Sequence, residues 1–184
     1  GPGMGILSKF LFEKKEYDTT LIEIDKESIS YLKKYYPDKT KQIIEGDFLS
    51  FNLKEVFTEP IAIIGNFPYN ISTQILFKVL DNREMVPECV GMFQKEVAER
   101  IASGPGNKEY GILSVLMQAY YEVELLFVLN EEDFSPPPKV KSAVLRFERK
   151  ENFELGCDER SFFRTVKTAF NQRRKTLRNA LSSL

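Results

Sequence analysis

Residues 65–72 read Gly65-Asn66-Phe67-Pro68-Tyr69-Asn70-Ile71-Ser72, and what flanks them decides the fold. Upstream, Ile61 to Ile64 is a short continuous apolar run of the kind that forms a buried parallel strand. Downstream, Thr73 to Leu80 (TQILFKVL) has helical periodicity, with a Ser or Thr at its start to act as N-cap. An Asn, a Pro and a Tyr are therefore expected at the carboxyl end of a strand, where open α/β sheets place their ligands. Those residue types suit attack by an exocyclic base amine on an activated methyl group. Such an amine is a poor nucleophile because its lone pair is delocalised into the ring. The Asn66 side-chain oxygen and the backbone carbonyl before the turn can both accept its N–H protons, favouring a pyramidal nitrogen whose lone pair is free. Tyr69 offers a face for the base once it has left its helix. Alone, N-x-P-Y reads equally well as a Pro-containing strand-to-helix turn.

The preceding segments repeat the same architecture. The chain begins Gly1-Pro2-Gly3-Met4-Gly5, followed by Ile6 to Phe12, an apolar-periodic helix start. A glycine turn entering a helix lets the backbone approach a ligand closely. Gly-Pro is also a common scar of protease-cleaved tags, and the similar Gly104-Pro105-Gly106 runs into polar Asn107-Lys108-Glu109 and reads as a surface loop. Thr20 to Ile24 (TLIEI) is strand-like and carries Glu23, with Asp25 just beyond it. An acid about twenty residues after a glycine turn has the spacing of a ribose-hydroxyl ligand. A helix over Lys26 to Tyr36, closed by Pro37, leads to a short strand over Lys41 to Glu45. Gly46-Asp47-Phe48 follows, where Asp47 can accept from an adenine amine while Phe48 covers the ring; Gly-Asp is also ordinary turn chemistry.

Beyond the central stretch, Cys89 to Gln94 reads as a strand, Lys95 to Ala102 and Tyr110 to Tyr121 as helices, and Glu122 to Leu129 as a strand. Leu113, Leu116 and Met117 are core positions of the second helix. Phe134-Ser135-Pro136-Pro137-Pro138-Lys139-Val140 reads as a rigid polyproline-like connection into a strand over Lys141 to Arg149. It is expected to hold Phe134 at the sheet edge that carries Tyr69, giving one base two aromatic faces. Strands alternating with helices predict an α/β fold, mostly parallel, with one antiparallel strand. The pattern ends near Arg149 to Gly156. Residues 151–184 are expected to open a helical unit, with Phe162, Phe163, Val166 and Phe170 at core spacing.

The average composition hides a charge asymmetry. The 184 residues carry a net charge of −1, yet from Arg160 to Leu184 there are seven basic residues and no acid. The first 159 residues therefore carry about −8, and the basic end is a separate electrostatic unit. Arg173, Arg174, Lys175 and Arg178, interleaved with Asn, Gln and Thr, suit phosphate contacts. Cys89 and Cys157 lack metal or disulfide spacing, which points to a reducing, cytoplasmic setting. The absence of His removes His-based acid–base catalysis and most zinc sites, and no run approaches transmembrane length.

GPGMGILS, IEID, EGDF, GNFPYNIS, QKEVAERIASGPGNKEYGILSVL, FSPPPKVKSAVLRF and FNQRRKTLRNAL together resemble the ribosomal RNA adenine dimethyltransferases, in particular the bacterial small-subunit (16S) branch. The resemblance implies a Rossmann-like class I methyltransferase domain over residues 1–150, then the start of a helical RNA-binding domain over 151–184. It implies S-adenosyl-L-methionine as cofactor, bordered by Gly1, Gly3 and Gly5, with Glu23 on its ribose, Asp47 and Phe48 on its adenine, and Asn66 beside it. Asn66, Pro68 and Tyr69 would receive the target amine and Phe134 would stack on the base. Arg173, Arg174, Lys175 and Arg178 would meet RNA. The implied reaction is double methylation of N6 on each of two adjacent adenosines in small-subunit ribosomal RNA. The implied partner is an immature 30S particle, bound by a monomer without metal or membrane. Family members carry a strand directly before the glycine turn and a segment that covers the cofactor; here both are expected to be missing, as is most of the helical domain. Two other readings stay open: a non-catalytic ribosome-assembly factor, and methylation of another adenine, in large-subunit RNA by a macrolide-resistance enzyme or in DNA.

Overall fold

A computed structural model describes residues 1–14, 16–182 and 184. After a short helix α1 (Ser8–Glu13), strand β1 (Leu21–Glu23) pairs in parallel with β2 (Ile43–Glu45), Glu23 lying opposite Glu45. Between them runs α2 (Lys26–Tyr35), started by Asp25, whose carboxylate accepts from Ser28 N at 2.8 Å. The side-chain and backbone hydrogen bonds of Ser28 hold the Asp25 carboxyl below its usual range, as a good N-cap should. Pro37 ends the helix and opens a 3-10 turn, Pro37–Gln42, so β2 begins two residues later than its apolar pattern suggests. Four buried residues, Leu21, Ile29, Leu32 and Ile43, form this unit's own small core.

The larger sheet has the order β3-β4-β6-β5: β3 (Ala62–Asn66), β4 (Glu88–Gln94), β5 (Tyr121–Leu129) and β6 (Ser142–Arg149). β3 and β4 are parallel, and β6 runs antiparallel to both β4 and β5, as the alternation predicts. A short helix α3 (Leu53–Val56) precedes β3; α4 (Ser72–Asp81), α5 (Lys95–Ala102) and α6 (Ile112–Tyr120) supply the cover. Leu76, Val79 and Leu80 of α4, Leu116 and Met117 of α6, and Phe93, Leu145 and Phe147 of the sheet are completely buried. Each contributes roughly 1.5–3 kcal/mol by leaving water.

Two expectations fail here. β3 is not a buried strand: its residues alternate between exposed and half-buried, and Ile64 is 46% exposed. Its apolar run reports strand propensity, but β4 is its sole strand partner among the described residues, so one edge stays open. Nor does a Ser or Thr cap α4. Ile71 is the N-cap and makes no side-chain cap, while the Ser72 hydroxyl turns back to donate to the Tyr69 carbonyl at 3.1 Å.

The chain closes with α7 (Glu159–Asn171) and the single turn α8 (Leu177–Ala180). Val166 joins the larger core, and Phe162, Phe163 and Phe170 pack against it. At the start of α7, Glu159 pairs with Arg83 at 2.7 Å, and the Arg83 guanidinium lies 4.5 Å over the Tyr120 ring. Burial, reinforced by Glu159, pushes the Tyr120 hydroxyl up to about 12. Among the described residues no helix is long and apolar enough to cross a membrane.

Candidate active site

The carboxyl edge of the larger sheet gathers the central motif. Asn66 ends β3 opposite Met92 and is exposed. The next residue goes the other way: Phe67 is only 7% exposed, and its ring lies over Gly65 and Gly91, which are cross-strand partners. A Cβ on Gly65 would come within 2.7 Å of Phe67 Cε1, and one on Gly91 would overlap the same ring. The paired glycines thus form a notch that seats Phe67, which also meets Phe93 edge-on at 5.6 Å. With Phe67 fixed, the backbone turns sharply, and Ile71 N donates to Pro68 O at 3.1 Å. Pro68 is exposed and Tyr69 is half-buried.

Tyr69 is pinned at its far end. Its hydroxyl shares a 2.5 Å hydrogen bond with Oγ of Ser142, a fully buried residue that opens β6 opposite Gln94 and Leu129. The ring is therefore held at both ends, by Ser72 at its backbone and by Ser142 at its hydroxyl, with part of its surface open. Ser142 has no local sequence signal. Only the pairing of β6 with β4 brings it to a tyrosine 73 positions away.

Phe134 lies in the connection that leaves this same edge, just after a 3-10 turn over Glu131–Asp133, and is half-buried. The connection is not a straight polyproline rod. It bends at 134–136, with the Ser135–Pro136 peptide cis. Among the described residues no ring–ring contact joins Phe134 to Tyr69.

The predicted cofactor residues meet at the ends of β1 and β2. Gly3 and Gly5 have φ of 54° and 78°, a left-handed backbone that favours glycine, and Gly5 N donates to Pro2 O at 3.0 Å. Gly1 lies so close to the Glu23 carboxylate that a Cβ would overlap it. Glu23 is 5% exposed; its Oε2 accepts from Gly3 N at 2.8 Å, and its Oε1 from Ile24 N at 2.8 Å and Asp25 N at 3.1 Å. A carboxylate has about four acceptor directions, so the three amides leave Glu23 room for one hydroxyl. Gly46 N donates to Glu23 O at 2.8 Å and ties the loop after β2 to β1. Asp47 is exposed; its Oδ1 accepts from Leu49 N at 2.9 Å, and its other oxygen has no partner among the described residues. Half-buried Phe48 follows and packs on the larger core. One acceptor for a hydroxyl, one for an amine, an aromatic face and a close glycine turn fit a nucleoside.

The basic residues follow α7, which packs near α4. From the Arg83–Glu159 pair, α7 runs opposite to α4, and Lys167 lies 5.6 Å over Phe77. Arg173, Arg174, Lys175 and Arg178 are all exposed; the first three lie in the turn, and only Arg178 is in α8.

The profile of the ribosomal RNA adenine dimethylase family matches residues 1–184. The chain belongs to that family. Ribosomal RNA small subunit methyltransferase A of Cytophaga hutchinsonii is 58% identical over 184 residues, all of this chain and 71% of the relative. A crystal structure of a dimethyladenosine transferase from Plasmodium falciparum superposes with a TM-score of 0.82 at 30% identity, over 98% of this chain and 64% of that one. The 23S rRNA methyltransferase ErmE superposes with a TM-score of 0.78 at 24% identity, over all of this chain and 73% of its own, which shows the shared fold. This dimethylase is thus a methyltransferase with the class I S-adenosylmethionine-dependent fold. Within that fold, the Phe67 notch and the Ser142 anchor are the parts of the site that the motif alone does not disclose.

Proposed function

We propose that the chain carries S-adenosyl-L-methionine-dependent N6,N6-dimethylation of two adjacent adenosines in small-subunit ribosomal RNA. The observation that carries this reading is the presentation of Asn66 at the end of β3, beside a tyrosine ring anchored through Ser142. S-adenosyl-L-methionine, when bound, supplies the activated methyl group. Gly1, Gly3, Gly5, Glu23, Asp47 and Phe48 would hold it at the ends of β1 and β2, with Asn66 alongside. The side-chain oxygen of Asn66 and the backbone carbonyl beside Pro68 would accept the adenine N6 protons, leaving the nitrogen lone pair free to attack. Tyr69 and Phe134 would stack on the flipped base and exclude water from it. No general base is needed, because the alkylated nitrogen can lose its proton after transfer.

The exposed Arg173, Arg174, Lys175 and Arg178 would contact RNA phosphates. In this reading residues 1–150 form the catalytic unit and 151–184 begin a helical RNA-binding unit. The partner would be an immature 30S particle in the cytoplasm, met by a monomer.

The test is transfer of labelled methyl groups to unmethylated small subunits and, in parallel, to unmethylated large-subunit RNA, with products digested to nucleosides. Dimethyladenosine from the small subunit alone is the expected result. Product from large-subunit RNA alone would overturn the substrate assignment. No product, with small-subunit binding intact, would replace catalysis with an assembly role.

A further inference from the structure

The loop after β2 carries two of the proposed cofactor residues, Asp47 and Phe48, yet no strand or helix includes residues 46–52. Two of its carbonyls, Leu49 O and Phe51 O, take no backbone donor among the described residues. Both take the same side chain. Lys78 Nζ, from the last turn of α4, donates to Leu49 O at 2.9 Å and to Phe51 O at 2.5 Å. The same ammonium lies 5.7 Å from the centre of the Phe48 ring. Lys78 is half-buried, so its stem packs while its head is spent on the loop.

The helix that supplies this clamp is the one whose first residue, Ser72, holds the Tyr69 carbonyl. We propose that Lys78 is a positioning residue for the cofactor's adenine subsite, fixing the 47–51 loop against α4 in the form that binds cofactor. The inference rests on the reading of Asp47 and Phe48 as adenine ligands. It assigns Lys78 no contact with cofactor or RNA; Lys78 acts through Phe48 and the two carbonyls.

Lys78→Met keeps most of the stem and removes the donors, whereas Lys78→Arg keeps donors for both carbonyls. Calorimetric binding of S-adenosylhomocysteine and amide exchange over residues 48–52 are the readouts, with methyl transfer at saturating cofactor alongside. Loss of a charged donor to two carbonyls predicts about tenfold weaker binding and faster exchange for Lys78→Met. Saturated turnover is expected to stay within about twofold, because the chemistry at Asn66 is untouched. Lys78→Arg is expected to recover most of the affinity. Unchanged affinity in a folded Lys78→Met, or unchanged exchange over 48–52, overturns the inference. Wild-type protein that binds no S-adenosylhomocysteine overturns the cofactor reading instead; the exchange comparison still decides whether Lys78 holds the loop.

Discussion

The edge that would receive the base and the edge that would hold the cofactor are held by different means. Asn66, Pro68 and Tyr69 hang from the four-stranded sheet and the large core. Phe67 is wedged into that core, and the buried Ser142 anchors the tyrosine. The proposed cofactor residues lie at the ends of the two-stranded sheet, held by the backbone amides around Glu23, by the packing of Phe48 on the larger core and by hydrogen bonds from Lys78 to their loop. The base side is the one that must bring the amine close to its acceptors. The activated methyl group supplies its own driving force, so the cofactor side needs chiefly to bind.

The contrast sorts substitutions by what they change. The largest effect is expected for Asn66→Ala, which removes the side-chain acceptor for the amine: saturated turnover falls roughly 100-fold or more, as for loss of one preorganised polar group. Gly91→Val should come next, since its side chain must enter the space of the Phe67 ring. Overpacking of this kind costs about 1–3 kcal/mol and would lower the melting temperature by several degrees, read by calorimetry. A protein of unchanged stability would remove Phe67 as the wedge. Glu23→Ala should weaken S-adenosylhomocysteine binding by about tenfold, a hydrogen bond to a charged group, while turnover at saturation holds. An unchanged dissociation constant would take Glu23 out of the cofactor site.

Ser142→Ala is the mildest probe and sharpens the picture most. Loss of one neutral hydrogen bond of about 1 kcal/mol predicts a roughly fivefold fall in kcat with cofactor affinity kept. Tyr69→Phe should give a similar fall, and the double variant should be no worse than either alone, because both remove the same bond. Additive losses would show that the pair does not act through that bond.

These differences also mark where the sequence could be read. Asn66, Pro68, Tyr69, Asp47 and Phe48 stand out because turn chemistry and strand ends are local, carried by a few adjacent residues. The helices over 26–35 and 159–171 follow from periodicity, while their caps, Asp25 and Asp158, which accept from Ser28 N and Ser161 N, come from the structure. What escaped depends on strand order. An apolar run such as Ile61 to Ile64 looks the same in the middle of a sheet and at an open edge. The burial of Phe67 needs Gly91, a residue of the neighbouring strand. Ser142 reaches Tyr69 and Lys78 reaches Leu49 and Phe51 through tertiary placement alone. The misplaced cap at Ser72 has the same origin: its hydroxyl serves Tyr69 rather than its own helix.

The division between the two edges is tested most directly by measuring kcat at saturating cofactor and S-adenosylhomocysteine affinity on the same preparations of Asn66→Ala and Glu23→Ala. The expected outcome is a double separation: Asn66→Ala loses turnover and keeps affinity within about threefold, and Glu23→Ala loses affinity and keeps turnover. Parallel loss of both quantities in both variants would contradict it, showing one cooperative site rather than separable base and cofactor edges.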